Sequence, residues 1–232
     1  MSIHSIVSLA VCATLPVVAA CSDSHSTSPA DTANANATVR LANATDVALD
    51  LRQGNSVVDG GGNIRFGATS SCTQVSAVSP QLTVTNAGKS GNLPGFDPSL
   101  DAGNSYTLVA FPGGGSATSF AMLLNAYRPA NGAAGFRVLN ATSEPTAFDA
   151  FVTNPGAALS TRTTTNTSAG TASAFVSVTA GMRQIRVTPA GSHNVVLDAG
   201  ANRLNAGASY TIVVAPAASG QSALRAFLVA GC

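Results

Sequence analysis

Tryptophan is absent from this chain of 232 residues, and lysine occurs only once, as Lys89. Only 9% of the residues are charged, and the formal net charge at pH 7 is +1. Proteins that bind nucleic acid or anionic lipid electrostatically carry clusters of Lys and Arg, and this sequence has no run of either. The composition therefore argues against nucleic acid as a partner.

Residue types that usually carry catalysis or bind metals are also few. Beyond the N-terminal segments the only histidine is His193, and a Ser-His-Asp triad would have to combine it with Ser192 or a distant serine and with an acid such as Asp198. A solvated turn histidine is the favoured interpretation. No Cys and His spacing suits zinc, and residues 97–101 form the only candidate calcium loop, with too few oxygen ligands. We predict no catalytic residue, no metal site and no cofactor.

What the sequence does contain is a duplication. Three segments of the first half return in the second half, at a spacing that grows from 97 to 104 residues. The pairs are Val39–Thr45 with Phe136–Thr142, Leu82–Gly88 with Ile185–Gly191, and Ala102–Leu108 with Ala206–Ile212. Such self-similarity marks a repeated structural unit, and the slow drift indicates small loop insertions. Tyr106 and Tyr210, in the third pair, are expected at equivalent core or corner positions.

Each repeat contains seven short runs rich in β-branched residues and bounded by Gly, Pro, Asn or Asp. One such pair of runs is Asp97–Leu100 and Val195–Leu197. Seven strands in about 95 residues are typical of an immunoglobulin-like sandwich. The predicted fold is all-β, with two tandem immunoglobulin-like β-sandwich domains, residues 38–128 and 135–232, after a signal peptide and a flexible tether. The short linker predicts that the two domains are in contact.

The N-terminal segment is predicted to direct export. Residues 1–20 are largely apolar, too short to cross a bilayer as a mature helix, and end in small residues before Cys21. This pattern resembles a bacterial lipobox, so we predict a lipoprotein signal peptide and lipidation of Cys21; an ordinary secretory signal is the alternative. Residues 21–37 carry no aliphatic side chain larger than Ala and are predicted to form a disordered tether. Ser22 after the cysteine favours delivery to the outer membrane.

Two cysteines remain beyond the signal peptide and Cys21. Cys72 and Cys232 form an even pair in an exported protein, which favours a disulfide. In the repeat alignment Cys72 matches Phe175 and Cys232 matches Tyr127, so neither cysteine is duplicated. We therefore predict a bridge that clamps one domain to the other.

Two acidic positions are duplicated as well. Asp50 and Asp149 occupy matching strand positions, near Arg40 and Arg137 in the first strand of each repeat. We expect a structural Asp–Arg pair in each domain rather than paired carboxylates for acid–base chemistry.

Several short motifs recur in the two repeats. They are hydrophobic-Arg-Val-x-Asn-Ala, a strand with Asp, an aromatic-Gly pair, Arg-Val-Thr-Pro-Ala-Gly and Ala-Gly-x-x-Tyr-Thr. They lie at Arg40–Thr45, Leu49–Asp50, Phe66–Gly67 and Ala102–Thr107, and at Arg137–Thr142, Phe148–Asp149, Arg186–Gly191 and Ala206–Thr211. Over nearly all of residues 38–230 the pattern resembles the bacterial domain-of-unknown-function 4397 family, with Ala169 in place of the second aromatic residue. The resemblance implies extracytoplasmic tandem sandwich domains, often on lipoproteins, with no known reaction.

The expected function is that of a non-enzymatic cell-envelope lipoprotein, a structural or protein-interaction module that faces the periplasm or the cell surface. The alternative is a ligand-binding or adhesive module, for a glycan or a protein, that uses the two least regular segments, Val57–Asn63 and Ser160–Gly170. Carbohydrate-binding sandwiches usually expose several aromatic rings, and only Phe66, Phe96 and Tyr127 are candidates here. An envelope hydrolase is the third possibility, which a cleft gathering Asp, His and Ser would favour.

Overall fold

The computed structural model describes residues 35–232, apart from residues 116, 145, 219, 220 and 222. Within this part of the chain the structure is all-β, with fifteen strands in four sheets and no helix. The predicted all-β class is confirmed, and the strands divide into two halves that contain two sheets each.

The first half contains an inner sheet of four strands and an outer sheet of three. Its strands are β1 (Asn36–Asn43), β2 (Leu49–Gln53), β3 (Ser56–Val57), β4 (Thr73–Ser76), β5 (Leu82–Asn86), β6 (Ser105–Pro112) and β7 (Thr118–Leu124). The inner sheet has the order β4-β1-β6-β7 and the outer sheet the order β3-β2-β5. The pair β1–β6 is parallel, whereas the other pairs are antiparallel.

The second half repeats this plan with one more strand. Its strands are β8 (Ala133–Asn140), β9 (Phe148–Thr153), β10 (Thr164–Thr167), β11 (Val176–Thr179), β12 (Gly181–Pro189), β13 (Leu197–Leu204), β14 (Ser209–Ala215) and β15 (Arg225–Ala230). The inner sheet has the order β11-β8-β14-β15 and the outer sheet the order β10-β9-β12-β13. The pair β8–β14 is again parallel, in the register of β1–β6, which supports the duplication.

Each half encloses its own apolar core between its two sheets. In the first half Leu41 and Leu108 of the inner sheet pack with Leu51 of the outer sheet. In the second half Phe136 of the inner sheet packs with Ile185 of the outer sheet. Alternating side chains of each strand supply these contacts, because successive residues point to opposite faces of a sheet.

The two inner sheets also pack against each other and form a third apolar cluster, the central core. Its buried members are Ala42, Ala44, Val109, Phe111, Leu123, Leu139, Ala141, Val213, Ala215 and Val229. Both faces of each inner sheet are therefore buried, which explains the nearly continuous apolar runs in β6 and β14. The predicted contact between the domains is confirmed, and this contact is itself a hydrophobic core.

The observed strands differ from the predicted ones at several places. Asp97–Leu100 is not a strand, because Pro98 has no N–H for a ladder and the neighbouring strand β5 begins only at Leu82, after Gln81 at φ 46°. In the second half the matching region lengthens into β13, which pairs along β12. Two short strands occur at the segments expected to be irregular: β3 overlaps the start of the first segment, and β10 lies within the second. Strand β1 begins at Asn36, two residues before the predicted start of the first domain.

Candidate functional site

The two halves are joined by a disulfide on one side and by an aromatic stack on the other. Cys72 and Cys232 form the predicted bridge, with their Cα atoms 5.9 Å apart. On the opposite side Phe175 stacks on Tyr127, with ring centroids 4.9 Å apart and 15° between the ring planes. Phe175 is the counterpart of Cys72 in the strand register, and Tyr127 lies one residue beyond Ala126, the counterpart of Cys232, so each half presents nearly equivalent positions to the other. This reciprocity is that of an isologous, two-fold interface within one chain.

Two duplicated arginines cross the same interface. Arg137 donates from Nη1 to the carbonyl oxygen of Leu124 at 2.9 Å, and Arg40 donates from Nη1 to the carbonyl oxygen of Ala230 at 2.8 Å. The guanidinium of Arg137 also lies 4.2 Å from the ring centroid of Phe175. Desolvation by burial lowers the pKa of Arg137 to about 10, so this side chain remains a cation at neutral pH. Both arginines therefore fasten one half to the main chain of the other.

A further contact between the halves occurs on one side only. The guanidinium of Arg225 lies 3.6 Å from the ring centroid of Phe66 and forms an ion pair of 2.8 Å with Asp46. The ring of Phe66 also meets the ring of Phe227 edge to face, with centroids 5.5 Å apart. This cluster covers one rim of the central core.

The opposite rim carries an open groove of about 320 Å³ instead. By the repeat alignment, Ser119, Ser143 and Ala169 stand there in place of the arginine, the aspartate and the phenylalanine. The missing aromatic residue of the second repeat thus has a structural consequence, because Ala169 has no ring and a groove beside the buried Phe111 stays open.

The repeated Asn-Ala-Thr segment forms a buried cluster of polar hydrogen bonds at the end of the first strand of each half. Asn43 is fully buried and donates from Nδ2 to the carbonyl oxygens of Val47 and Ile64 at 2.7 and 2.8 Å. Its Oδ1 accepts hydrogen bonds from the backbone N–H and the hydroxyl of Thr45. Asn140 makes the matching four bonds in the second half. Buried polar groups need such partners, so this duplicated residue is structural.

Asp149 joins strand β10 to the turn that follows β12. It is 2% exposed and accepts hydrogen bonds from the backbone N–H groups of Asn166 and Gly191, both at 2.8 Å. Arg162 adds an ion pair of 2.6 Å. Burial alone would raise the pKa of the Asp149 carboxyl, but the two backbone hydrogen bonds and Arg162 outweigh it, and the pKa lies below its ordinary value.

Asp50 makes the same backbone contacts in the first half. Its two carboxylate oxygens accept from the N–H groups of Asn63 at 2.7 Å and Gly88 at 3.0 Å. The expected Asp–Arg pair within each domain is wrong, because Arg40 and Arg137 lie on the opposite face of the inner sheet and point to the other half. The carboxylates bind turn amides, for which loop geometry and not strand spacing decides the partner.

The two duplicated tyrosines lie at equivalent register positions, as predicted. The hydroxyl of Tyr106 accepts a hydrogen bond from the backbone N–H of Asp101 at 3.0 Å, and that of Tyr210 accepts from the N–H of Asn205 at 3.0 Å. Both rings are buried. A tyrosine that bonds back to main chain a few residues upstream is the arrangement of a tyrosine corner.

The candidate triad residues do not come together. His193 is exposed, and its ring centroid lies 5.5 Å from that of Phe151. The carboxylate of Asp198 accepts from the amide of Gln184 at 2.7 Å, and Ser192 Oγ accepts from a backbone N–H within its own turn. Among the residues that the structure describes, no group of three or more His, Cys, Asp or Glu side chains is placed to hold a metal ion.

The three aromatic residues considered as glycan platforms are engaged in packing. Tyr127 stacks on Phe175, Phe66 meets Phe227, and Phe96 lies 5.4 Å from the ring of Phe120 between centroids. None of the three offers an unpartnered ring within the described part of the chain.

The second half has a groove along one open edge, and we call this groove the edge groove. It has a volume of about 390 Å³ and is lined by Val152, Thr153, Ser160, Thr161, Arg162, Thr163, Val176, Ser177, Val178, Thr179 and Arg183. A second depression of about 310 Å³ continues it past Thr163 and Val176. The segment Ser160–Gly170, predicted to be irregular, thus forms one wall of a groove.

The predicted signal peptide, residues 1–20, and the lipidation site Cys21 lie outside the described residues, as does most of the predicted tether. Among residues 35–232 that the structure covers, no helix is long and apolar enough to cross a membrane.

No protein-family model matches this chain, and no curated protein matches it either.

Proposed function

We propose that this chain is a non-enzymatic module of the bacterial cell envelope, anchored by a lipid on Cys21, that binds another envelope protein. The observation that carries the proposal is the use of the duplicated polar residues. The Asn, Asp, Tyr and Arg positions shared by the two halves are all bonded to main chain, in turns or across the interface. A framework of this kind fixes shape, which suits recognition better than catalysis.

Two further observations support the envelope assignment. The Cys72–Cys232 disulfide belongs to proteins that fold in an oxidising compartment. The small residues before Cys21 fit a lipoprotein signal, and Ser22 favours the outer membrane. Placement at the outer membrane, facing the periplasm or the cell surface, is part of the proposal.

The finer fold and family assignments also belong to the proposal. Two packed sheets in each half, with a tyrosine corner, support an immunoglobulin-like class. The strand order, with a parallel pair in the middle of each inner sheet, differs from that of constant-type immunoglobulin domains. Membership of the domain-of-unknown-function 4397 family rests on the duplicated motifs alone.

For the alternative function, a ligand-binding or adhesive module, the course of the two irregular segments indicates which half would bind the ligand. In the first half the irregular segment turns inward, because Val58 joins the core and Asn63 is bonded to Asp50. In the second half the matching segment lines the edge groove. A glycan or protein ligand would therefore use the second half.

Anchoring and partner binding are tested together in whole cells. We expect the Cys21→Ala variant to leave the membrane fraction, whereas Cys12→Ala, within the signal peptide, stays with the wild type. Crosslinking of the anchored protein in its native envelope should give a defined heteromeric adduct. A Cys21→Ala variant as firmly membrane-bound as the wild type would contradict the anchor, and the absence of any adduct would contradict the interaction.

A further inference from the structure

The depression of about 310 Å³ that continues the edge groove has an unusual lining, and we call it the hydroxyl cleft. It lies between β10, at the edge of the outer sheet, and residues 171–176, which run into β11 at the edge of the inner sheet. Six of its ten lining residues are Thr or Ser, and none is charged. The cleft therefore offers mainly hydroxyl groups, each of which can both donate and accept a hydrogen bond.

Two of these threonines bury hydroxyls that have no hydrogen-bond partner among the described residues. They are Thr164 and Thr167 of β10, whose side chains are 5% and 4% exposed. They pair with Ala150 and Phe148 of β9, which belong to the core of the second half. Because cross-strand partners share a face, both threonines point into the space between the two sheets. A buried hydroxyl without a partner destabilises the fold, so this pair indicates a role other than structure.

The first half builds the matching place from aliphatic side chains. Ile64 bridges to Leu49 of β2. Thr167 bridges to Phe148, the counterpart of Leu49 in β9. Ile64 is only 3% exposed and, with Val58, belongs to the core of the first half. The fold thus closes this side of a sandwich without hydroxyls, and the second half departs from that solution.

Positive charge lies farther along the same opening. The edge groove shares Thr163 and Val176 with the hydroxyl cleft. No carboxylate lines either space, and two arginines line the edge groove. Arg162 is neutralised by Asp149, whereas Arg183 donates only to uncharged oxygens among the described residues. The joined spaces therefore present hydroxyls at one end and a cation without a carboxylate partner at the other.

We propose that the hydroxyl cleft and the edge groove together bind an acidic oligosaccharide. Sugar hydroxyls bond to Thr164 and Thr167, and a carboxylate of the saccharide bonds to Arg183 through charge-assisted hydrogen bonds. The saccharide is held by hydrogen bonds and charge, without an aromatic platform. The two volumes, about 310 and 390 Å³, are those of ordinary ligand sites. The inference rests on the alternative function, glycan binding by the second half, and does not depend on a protein partner.

The binding test uses the full-length protein and fluorescently labelled trigalacturonate. We expect saturable binding, weakened about tenfold by the double variant Thr164→Val, Thr167→Val, because valine keeps the shape of threonine and removes the hydroxyl. Without saccharide this variant should be at least as stable as the wild type, since it removes two unpartnered buried hydroxyls. Equal binding by the double variant, or no saturable binding by the wild type, would overturn the proposal.

The matched control lies in the first half. Thr85 of β5 also buries a hydroxyl without a partner among the described residues, and it lies outside both spaces. Thr85→Val should change stability in the same direction and bind trigalacturonate as the wild type does. Binding weakened equally by Thr85→Val would show that the effect is not local to the cleft and would overturn the assignment.

The charge is tested separately. Arg183→Gln should weaken trigalacturonate severalfold and leave the weaker binding of its carboxyl-reduced, neutral form unchanged, whereas Arg203→Gln on β13 should change neither. An equal loss for both saccharides would contradict a carboxylate at Arg183. Competition by acetate that is as effective as trigalacturonate at the same carboxylate concentration would reduce the site to a simple anion site and overturn the saccharide.

Crosslinking in the native envelope separates this inference from the proposed function. The heteromeric adduct should form equally with the wild type and with the Thr164→Val, Thr167→Val variant. An adduct lost in the variant would assign the cleft to the protein partner and overturn the saccharide. No adduct with either protein, while the purified wild type binds trigalacturonate, would overturn the protein interaction and leave the saccharide site standing.

Discussion

The two halves of the molecule agree in their polar framework and differ at their edges. Both bury an asparagine at the end of the first strand, an aspartate that accepts hydrogen bonds from two backbone N–H groups and a tyrosine that bonds back to main chain. They differ in the contact that joins them, which is a disulfide on one side and an aromatic stack on the other. They also differ in one rim of the central core and in the strand at the edge of the outer sheet. The duplicated positions hold the fold, and the positions that changed decide how the halves pair and what the surface offers.

Removing the disulfide that joins the two halves should have the largest effect on stability. Replacing both cysteines in the Cys72→Ser, Cys232→Ser variant should lower the free energy of unfolding by up to about 5 kcal/mol, because the bridge closes a loop with a sequence separation of 160. Phe175→Ala on the other side should cost only about 1–2 kcal/mol. Denaturant unfolding of both variants checks the order. A Phe175→Ala variant less stable than the cysteine variant would contradict it.

Substitution of the two buried asparagines tests whether both halves depend on the same polar framework. Asn43→Ala and Asn140→Ala should each lower the free energy of unfolding by about 2–4 kcal/mol, since each leaves buried carbonyl and hydroxyl groups without partners. Urea unfolding measures both. A loss of stability in one half but not in the other would show that the two hydrogen-bonded clusters are not equivalent.

The aspartate of the second half predicts a pH dependence. Because the folded-state pKa of Asp149 is depressed, its contribution to stability is present above the unfolded value of about 3.9 and is lost as the pH falls through the lower folded value. Asp149→Asn should therefore reduce stability at pH 7 and flatten the decline of stability below about pH 4. Thermal unfolding across this range measures the slope. An unchanged acid slope in the variant would contradict the assignment.

Filling the open rim of the central core should have the smallest effect on the free energy of unfolding, and it should stabilise the protein rather than destabilise it. The triple variant Ser119→Arg, Ser143→Asp, Ala169→Phe copies the filled rim onto the open one and should raise the free energy of unfolding by about 1 kcal/mol, from one cation–π contact and one exposed ion pair. Ser119→Arg alone, without the ring, is the control and should gain less. A destabilised triple variant would show that the two rims are not superimposable.

Sequence reasoning reached the features that duplication or covalent chemistry imposes. The all-β class, the equivalent tyrosines and the Cys72–Cys232 bridge followed from repeated segments and from an unrepeated cysteine pair. It failed for the Asp–Arg pairs because strand spacing does not say which sheet a residue joins, and here the partners belong to opposite faces.

The edge groove was reached only in part. The irregular, Thr-rich composition of Ser160–Gly170 marked the right segment, but its wall also depends on the preceding loop, which Gln184 and Arg186 of β12 hold at Gly156 and Ala157. Such a loop course is set by tertiary contacts of single residues, for which the sequence has no periodic signal.

Amide hydrogen exchange of the full-length protein tests most directly the claim that the halves share a framework and differ at their edges. The account predicts equal protection of Val58 and Thr163, because the N–H of Val58 donates to Leu51 and the N–H of Thr163 donates to Ala150, the matching position of β9. It predicts faster exchange at residues 161–162 than in β3, Ser56–Val57, because β3 pairs with β2 and residues 161–162 lie outside the strands. Equal exchange of these two segments would contradict the account.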